Sequence, residues 1–216
     1  MVSGSHEHVD KSEAGAGIRA ARPFDAAAFE GAVRALVAAC GVDDPQHLGA
    51  TPERVRALWA DRLLDGYRRD PAAELGEGFA DPRADVVVVR GIAIHGVCPH
   101  HLLPFRGKAH VAYLPGGRLH GFGRIARLVD ALAHRFTYQE WLTRDVADAL
   151  VTHGQAQGAV VVVESVQLCL VLGEDRRSDE RVVTQACSGV YRDDALRRAE
   201  VQRLVLPEGD LDRAGR

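Results

Sequence analysis

Two segments of the chain carry side chains of the types that zinc prefers. The segment VCPHH places Cys98 and His101 at the Cys-x-x-His spacing, which lets one tight loop present two ligands to a single ion, and Pro99 stiffens that loop. Two-ligand spacings also arise by chance, so a buried thiol beside turn histidines explains the segment equally well. A third ligand would favour the metal, because three protein ligands leave one position for water, as in catalytic zinc sites.

Cys169 is the candidate for that third ligand. The β-branched run from 159 to 172 predicts a strand, on which alternate residues share a face. Gln167 and Cys169 then form a polar pair in a row of apolar side chains. For a strand cysteine taken alone, a small core residue is the better interpretation, so the ligand role depends on Cys98 and His101.

The composition limits the class of protein. The 216 residues are enough for one substantial core with a small helical addition. Hydrophobic residues make up 46% and charged residues 26% of the chain, as in an ordinary soluble globular protein. A net charge of −3 offers no general attraction to nucleic acid.

The cellular setting is also constrained by the sequence. No apolar run predicts a membrane helix, and the first residues lack the basic-then-apolar order of a secretory signal. Four scattered cysteines in a reducing compartment point away from a disulfide framework. We therefore expect a cytoplasmic protein with neither a membrane nor a nucleic acid as partner.

Hydrophobic periodicity divides the chain into regions. Helical spacing begins after Asp25 and again at TPERV, where Thr51 is the expected cap and Pro52 lies in the first turn. The predicted regions are a disordered tail (1–22), an N-terminal helical region (23–80), the main domain (81–206) and a C-terminal tail (207–216).

The main domain shows the order strand, strand, helix, helix, strand, strand. Pairs of strands on either side of a helix pair predict an α+β fold, in which both helices lie on one face of an antiparallel sheet. The segment VCPHH falls between the first two strands.

Several separated motifs resemble the GTP cyclohydrolase I family. They are CPHHLLPFRGKAHVAYLP, GRIARLV, QEWLT and VESVQLC, with TPERV in the N-terminal helices, and the resemblance covers about residues 24–205. It implies the tunnelling fold (T-fold), in which subunits join their sheets into rings and two rings stack as a homodecamer with active sites at subunit interfaces. It also implies a reaction in which GTP and water give formate and 7,8-dihydroneopterin triphosphate.

The resemblance assigns roles to individual residues. It implies zinc ligation by Cys98, His101 and Cys169, and an acid-base role for His100, since histidine is the side chain that enzymes most often use for proton transfer. A histidine in this position could instead support the metal ligands. The implied substrate-binding residues are Glu140 with Gln139 for the guanine, and Arg124, Arg127 and Arg54 for the triphosphate. Without the resemblance, Glu140 would be an ordinary solvated helix charge.

The chain also departs from the family pattern. Gln167 stands where the family has a second catalytic histidine, and glutamine does not exchange protons near neutral pH. The basic residue expected shortly after Cys169 is missing, with Arg176 and Arg177 as substitutes further along. Gly123 replaces a hydroxyl residue and Pro99 an acidic one.

These departures keep three hypotheses open. The first is a zinc-dependent GTP cyclohydrolase I. The second is a divergent hydrolase that stops at the ring-opened formamide or acts on another purine nucleotide, and the third is a non-catalytic nucleotide-binding ring. The set Cys98, His100, His101 and Cys169 argues against the third, because a structural site needs neither the extra histidine nor an open position.

Overall fold

The computed structural model describes residues 22–83, 85–173 and 180–205. The α-helices of these residues are α1 (Ala26–Ala39), α2 (Pro45–Leu48), α3 (Thr51–Leu58), α4 (Pro71–Leu75), α5 (Phe122–Ala133), α6 (Gln139–Thr152), α7 (Leu168–Leu172), α8 (Val190–Asp193) and α9 (Ala195–Val205). A π-helix (Trp59–Leu63) and a 3-10 helix (Asp65–Arg68) lie between α3 and α4. The strands are β1 (Phe79–Ala80), β2 (Val87–Val97), β3 (Pro104–Leu114), β4 (Arg118–Leu119), β5 (Gly158–Gln167) and β6 (Val182–Gly189).

The N-terminal helices begin near the predicted positions. The Asp25 carboxylate accepts a 2.9 Å hydrogen bond from the main-chain N–H of Ala28, which confirms Asp25 as the cap of α1. The prediction of Thr51 as a cap was wrong, because Thr51 is already helical and Ala50 precedes it without a capping side chain. Helix α1 packs mainly on α3.

The central sheet has four antiparallel strands in the order β2-β3-β5-β6. Its register aligns Ala109 with Val163 and Val111 with Val161, so one face presents a continuous row of small and β-branched side chains. A bulge between Val89 and Ile92 shifts the pairing of β2.

Helices α5 and α6 cover that face of the sheet. Their apolar residues recur at helical spacing and meet the inward-facing side chains of β3 and β5 in the main core. The fully buried members from the two helices include Ile125, Leu128, Val129, Leu142, Val146 and Leu150. This arrangement confirms the predicted α+β class with a helix pair on one face.

The opposite face carries a second, smaller core that the sequence did not predict. Val201 and Val205 of α9 are buried together with sheet residues Val160 and Val162. Helix α9 therefore covers part of the face that α5 and α6 leave open.

The strand predicted over 159–172 was wrong for its last 5 residues. Strand β5 ends at Gln167, and Cys169 lies in the one-turn helix α7. The ladder with β6 stops at Ser165 and the ladder with β3 stops at Gln167, so residues beyond Gln167 have no strand to pair with. Their main-chain groups are satisfied by helical bonds instead.

The predicted region boundaries remain predictions. Strand β1 pairs with β4, which ties the helical region to the sheet domain just before the boundary predicted at residue 80. The predicted tails at 1–22 and 207–216 lie outside the described residues, apart from Arg22. Within the described ranges, no helix has the length and apolar character needed to cross a bilayer.

Candidate active site

The segment VCPHH forms the turn between β2 and β3. Cys98 and Leu103 close it, because the Cys98 N–H donates to the Leu103 carbonyl at 3.0 Å and the Leu102 N–H donates to the Cys98 carbonyl at 3.0 Å. Leu102 adopts φ 55°, an uncommon conformation for leucine that reverses the chain. The turn leaves His100 and His101 exposed at its tip.

The thiols of Cys98 and Cys169 lie within hydrogen-bonding reach of each other. Cys98 is buried at the end of β2, and Cys169 is half-buried in α7, so two separate elements bring them together. Burial raises the pKa of Cys169, and the charge of Cys98 raises it further. A cation between the two sulfurs would offset both effects, since thiolates are preferred ligands of zinc.

His101 is not gathered with the two thiols. Across 22–83, 85–173 and 180–205, no three His, Cys, Asp or Glu side chains lie close enough to hold one ion. The donor types nevertheless fit zinc, because the two thiols lie within hydrogen-bonding reach and His101 belongs to the same short turn as Cys98.

His100 contacts a residue that sequence reasoning did not identify. The hydroxyl of Tyr138 lies 3.0 Å from Nε2 of His100, and the two ring centroids are 4.9 Å apart. Tyr138 directly precedes α6.

Gln167 and Gln139 belong to one hydrogen-bonded network. Oε1 of Gln139 accepts from the Ser165 hydroxyl at 2.6 Å and from Nε2 of Gln167 at 2.8 Å. Nε2 of Gln139 donates to the carbonyls of Val163 and Val182, at 2.9 Å each. The buried amide of Gln139 thus joins α6 to β5 and β6, and its side chain is fully engaged within the chain.

Glu140 is the exposed residue beside Gln139 in the first turn of α6. A carboxylate at this position interacts favourably with the helix dipole. Glu140 follows Tyr138, the residue that contacts His100, by two positions in the chain.

Two of the predicted phosphate-binding arginines, Arg124 and Arg127, lie in the first half of α5. Arg124 Nη1 lies 3.4 Å from the Glu74 carbonyl, and Arg127 Nε lies 3.7 Å from the Glu74 carboxylate. Arg54 is exposed on α3.

Besides Gln167, the departures at Gly123 and Pro99 can be placed in the structure, whereas the substitutes for the missing basic residue cannot. A side chain at Gly123 would meet open space, so the first turn of α5 has room for a ligand group. Pro99 lies in the turn beside Cys98. Arg176 and Arg177 fall outside the described residues.

Comparisons with known proteins agree on one family. The family described as GTP cyclohydrolase I matches residues 29–206. A protein of Ralstonia nicotianae named GTP cyclohydrolase 1 is 58% identical over 204 residues, which cover 93% of this chain and 98% of that protein. A protein of Chromobacterium violaceum with the same name is 61% identical over 185 residues, which cover 85% of this chain and 90% of that protein. The one from Bacillus subtilis is 40% identical over 176 residues, covering 80% and 92%.

Proposed function

Since this chain belongs to the GTP cyclohydrolase I family and is a GTP cyclohydrolase I enzyme, we propose that the β2–β3 turn, α7 and the start of α6 form its catalytic centre. The observation that carries this proposal is the contact between the Cys98 and Cys169 thiols beside His100. These thiols come from distant parts of the chain, and the turn that holds Cys98 also presents two imidazoles.

Zinc is the metal that we propose for the thiol pair. Cys98 and Cys169 would supply two ligands and His101 the third. Bound there, zinc would lower the pKa of a water molecule and so provide a nucleophile at neutral pH.

His100 would exchange protons with the purine during ring opening. Protonation of N7 makes C8 more electrophilic, so that water adds there and the C8–N bond of the imidazole ring breaks to leave a formamide. A second addition of water releases formate, after which the ribose rearranges and the pterin ring closes. His100 is suited to this work because imidazole both gives and takes protons near neutral pH.

Glu140 would recognise the guanine edge. Its two carboxylate oxygens match the ring N–H and the exocyclic amine of guanine, which are parallel donors. Because the amide of Gln139 is engaged with the sheet, any contact of Gln139 with the purine would come from its main chain at the start of α6.

Arg124, Arg127 and Arg54 would bind the triphosphate, in a subunit other than the one that supplies the thiols. Arg124 lies at the start of α5, whereas the Val97–Phe136 contact beside the β2–β3 turn lies past its end. At 1.5 Å per residue, α5 separates them by about 15 Å. If one active site contains both the thiols and these arginines, the separation favours a site formed between two subunits.

Self-association into a homodecamer is consistent with the exposed features of the chain. Strands β2 and β6 are the outer strands of the sheet and offer edges to a neighbour. On α1, Leu36 is 65% exposed, so this helix also presents apolar surface.

A second outcome, arrest at the ring-opened formamide, is favoured by one observation. Gln167 replaces the family's second histidine, and its amide donates to Gln139 and Ser165. The later hydrolysis needs a proton on a poor amine leaving group, which an amide does not supply.

Incubation of zinc-loaded protein with GTP tests both proposals. Mass analysis of the nucleotide products, combined with a formate assay, separates complete turnover from arrest at the formamide. Formation of neither product by protein carrying about one zinc per subunit would contradict the proposed catalytic centre.

A further inference from the structure

The side chain of Tyr138 contacts the imidazole of His100. The Tyr138 hydroxyl lies 3.0 Å from Nε2 of His100, at normal hydrogen-bonding distance. We propose that Tyr138 is a positioning residue that holds the His100 imidazole in its working orientation. The inference rests on the proposed role of His100.

The backbone fixes which residues meet at this point. Val97 and Phe136 form a parallel bridge, in which the Thr137 N–H donates to the Val97 carbonyl at 3.1 Å. This bridge aligns the segment before α6 with the end of β2. Tyr138 lies two residues after Phe136, and His100 lies three residues after Val97. The bridge therefore brings the two side chains together.

Tyr138 is itself held in place from two sides. Its carbonyl accepts the first hydrogen bond of α6, from the Leu142 N–H at 2.9 Å. Its ring meets the Trp141 ring edge-on with centroids 4.5 Å apart. The hydroxyl therefore has a defined position, because a tyrosine side chain has only two rotatable bonds before its ring.

His100 needs such support because it lies exposed at the tip of the turn. An exposed imidazole changes rotamer on the ps–ns timescale unless a neighbour holds it. Gln167 is hydrogen-bonded to Gln139 and Ser165, so the amide at the position of the family's second histidine is held elsewhere. Tyr138 is the residue whose hydroxyl orients the ring.

Tyr138→Phe tests the proposal while keeping the ring contacts. Loss of one neutral hydrogen bond that orients a catalytic group should lower kcat by roughly 3- to 10-fold, with KM and zinc content unchanged. The matched control is Tyr67→Phe, since the Tyr67 hydroxyl accepts from the Phe136 N–H at 3.3 Å but does not take part in the His100 contact. That variant should keep kcat within about 2-fold of the parent.

A second readout does not depend on turnover. Diethyl pyrocarbonate modifies free imidazole nitrogens. Peptide mass mapping then gives the rate of modification of His100 separately from that of the other histidines. The rate should rise several-fold in Tyr138→Phe and stay at the parent value in Tyr67→Phe. An unchanged kcat, an unchanged His100 rate, or an equal loss of kcat in Tyr67→Phe would overturn the inference. If the parent releases no product while Tyr138→Phe still accelerates modification of His100, the proposed function fails but the hydrogen bond stands.

Discussion

Gln167 donates a 2.8 Å hydrogen bond to Oε1 of Gln139, which joins the end of β5 to the first turn of α6. The residue at the position of the family's second catalytic histidine is thus part of the framework of the site. Its amide also donates to Ser165 at 3.0 Å, so both amide hydrogens have acceptors inside the chain.

Replacement of Gln167 by histidine should change the product distribution. An imidazole here restores a group that exchanges protons, so we expect a larger share of formate and pterin and less ring-opened formamide than in the parent. Rapid quench with mass analysis of the nucleotides measures the ratio. Gln167→Asn is the control, because it shortens the side chain without adding a titrating group. Complete conversion by the parent, with no formamide at any time, would mean that another residue or water supplies the proton.

Replacement of Cys169 by alanine should remove most of the bound zinc. The variant loses one of the two thiols in contact, and a site left with Cys98 and His101 binds zinc far more weakly. Metal content by mass spectrometry, after dialysis against a weak chelator, gives the result. Cys187→Ala is the matched control, since Cys187 is also half-buried but lies in β6. Zinc retained in full by Cys169→Ala would refute the proposed ligand set.

Substitution of Glu140 by glutamine should weaken discrimination for guanine. One carboxylate oxygen becomes a donor that faces a donor of the base, and an unsatisfied polar contact costs about 1–3 kcal/mol, or roughly 5- to 150-fold in kcat/KM for GTP. Steady-state kinetics with GTP and ITP measure the effect, because ITP lacks the exocyclic amine. Glu200→Gln, at an exposed position of α9, is the control. Equal loss with both nucleotides would show that Glu140 does not bind the amine.

Substitution of Asp145 by asparagine should stabilise the protein at neutral pH. Burial raises the pKa of Asp145 to about 6, with the charge of Asp148 adding to the shift and Arg135 opposing it. The folded state then keeps a proton that the unfolded chain releases between about pH 4 and pH 6. Stability therefore falls as pH rises through that window, and the ionised carboxylate destabilises the fold above it.

The neutral amide of Asp145→Asn removes this penalty. We expect a gain of roughly 1–2 kcal/mol at pH 7.5 that shrinks towards pH 4.5, after allowance for solvent screening. Thermal unfolding of metal-loaded parent and variant at both pH values measures it. Asp193→Asn, at an exposed position in α8, is the matched control. A variant less stable than the parent at pH 7.5 would contradict the assignment.

The sequence predicted the layers of the fold because their signals are periodic. Helical spacing in α5 and α6 and β-branched runs in β3 and β5 identified the elements that form the main core. The end of β5 was not predictable in this way, since residues 168–172 are as apolar as the strand before them. Their conformation depends on where β3 and β6 stop pairing, which is a long-range property.

In the candidate site too, some residues can be identified from the sequence, whereas others are brought together only by the fold. Residue type and spacing pointed to Cys98 and His101, and the contact with Cys169 agrees with the proposal that these residues share a metal. The role of Tyr138 had no such signal, because a tyrosine before a helix is unremarkable and the Val97–Phe136 bridge joins distant segments. The engagement of Gln139 with the sheet was equally hidden, since it depends on the position of α6 over β5 and β6.

We expect the thiols of Cys98 and Cys169 to meet late in folding. Cys98 follows β2 and Cys169 follows β5, so the two sulfurs meet only after both strands have docked on β3. Closing so long a loop is entropically unfavourable before those pairings form. We therefore expect capture of the proposed zinc by both thiols to be a late step, because a chain whose strands have not yet docked would hold the ion poorly.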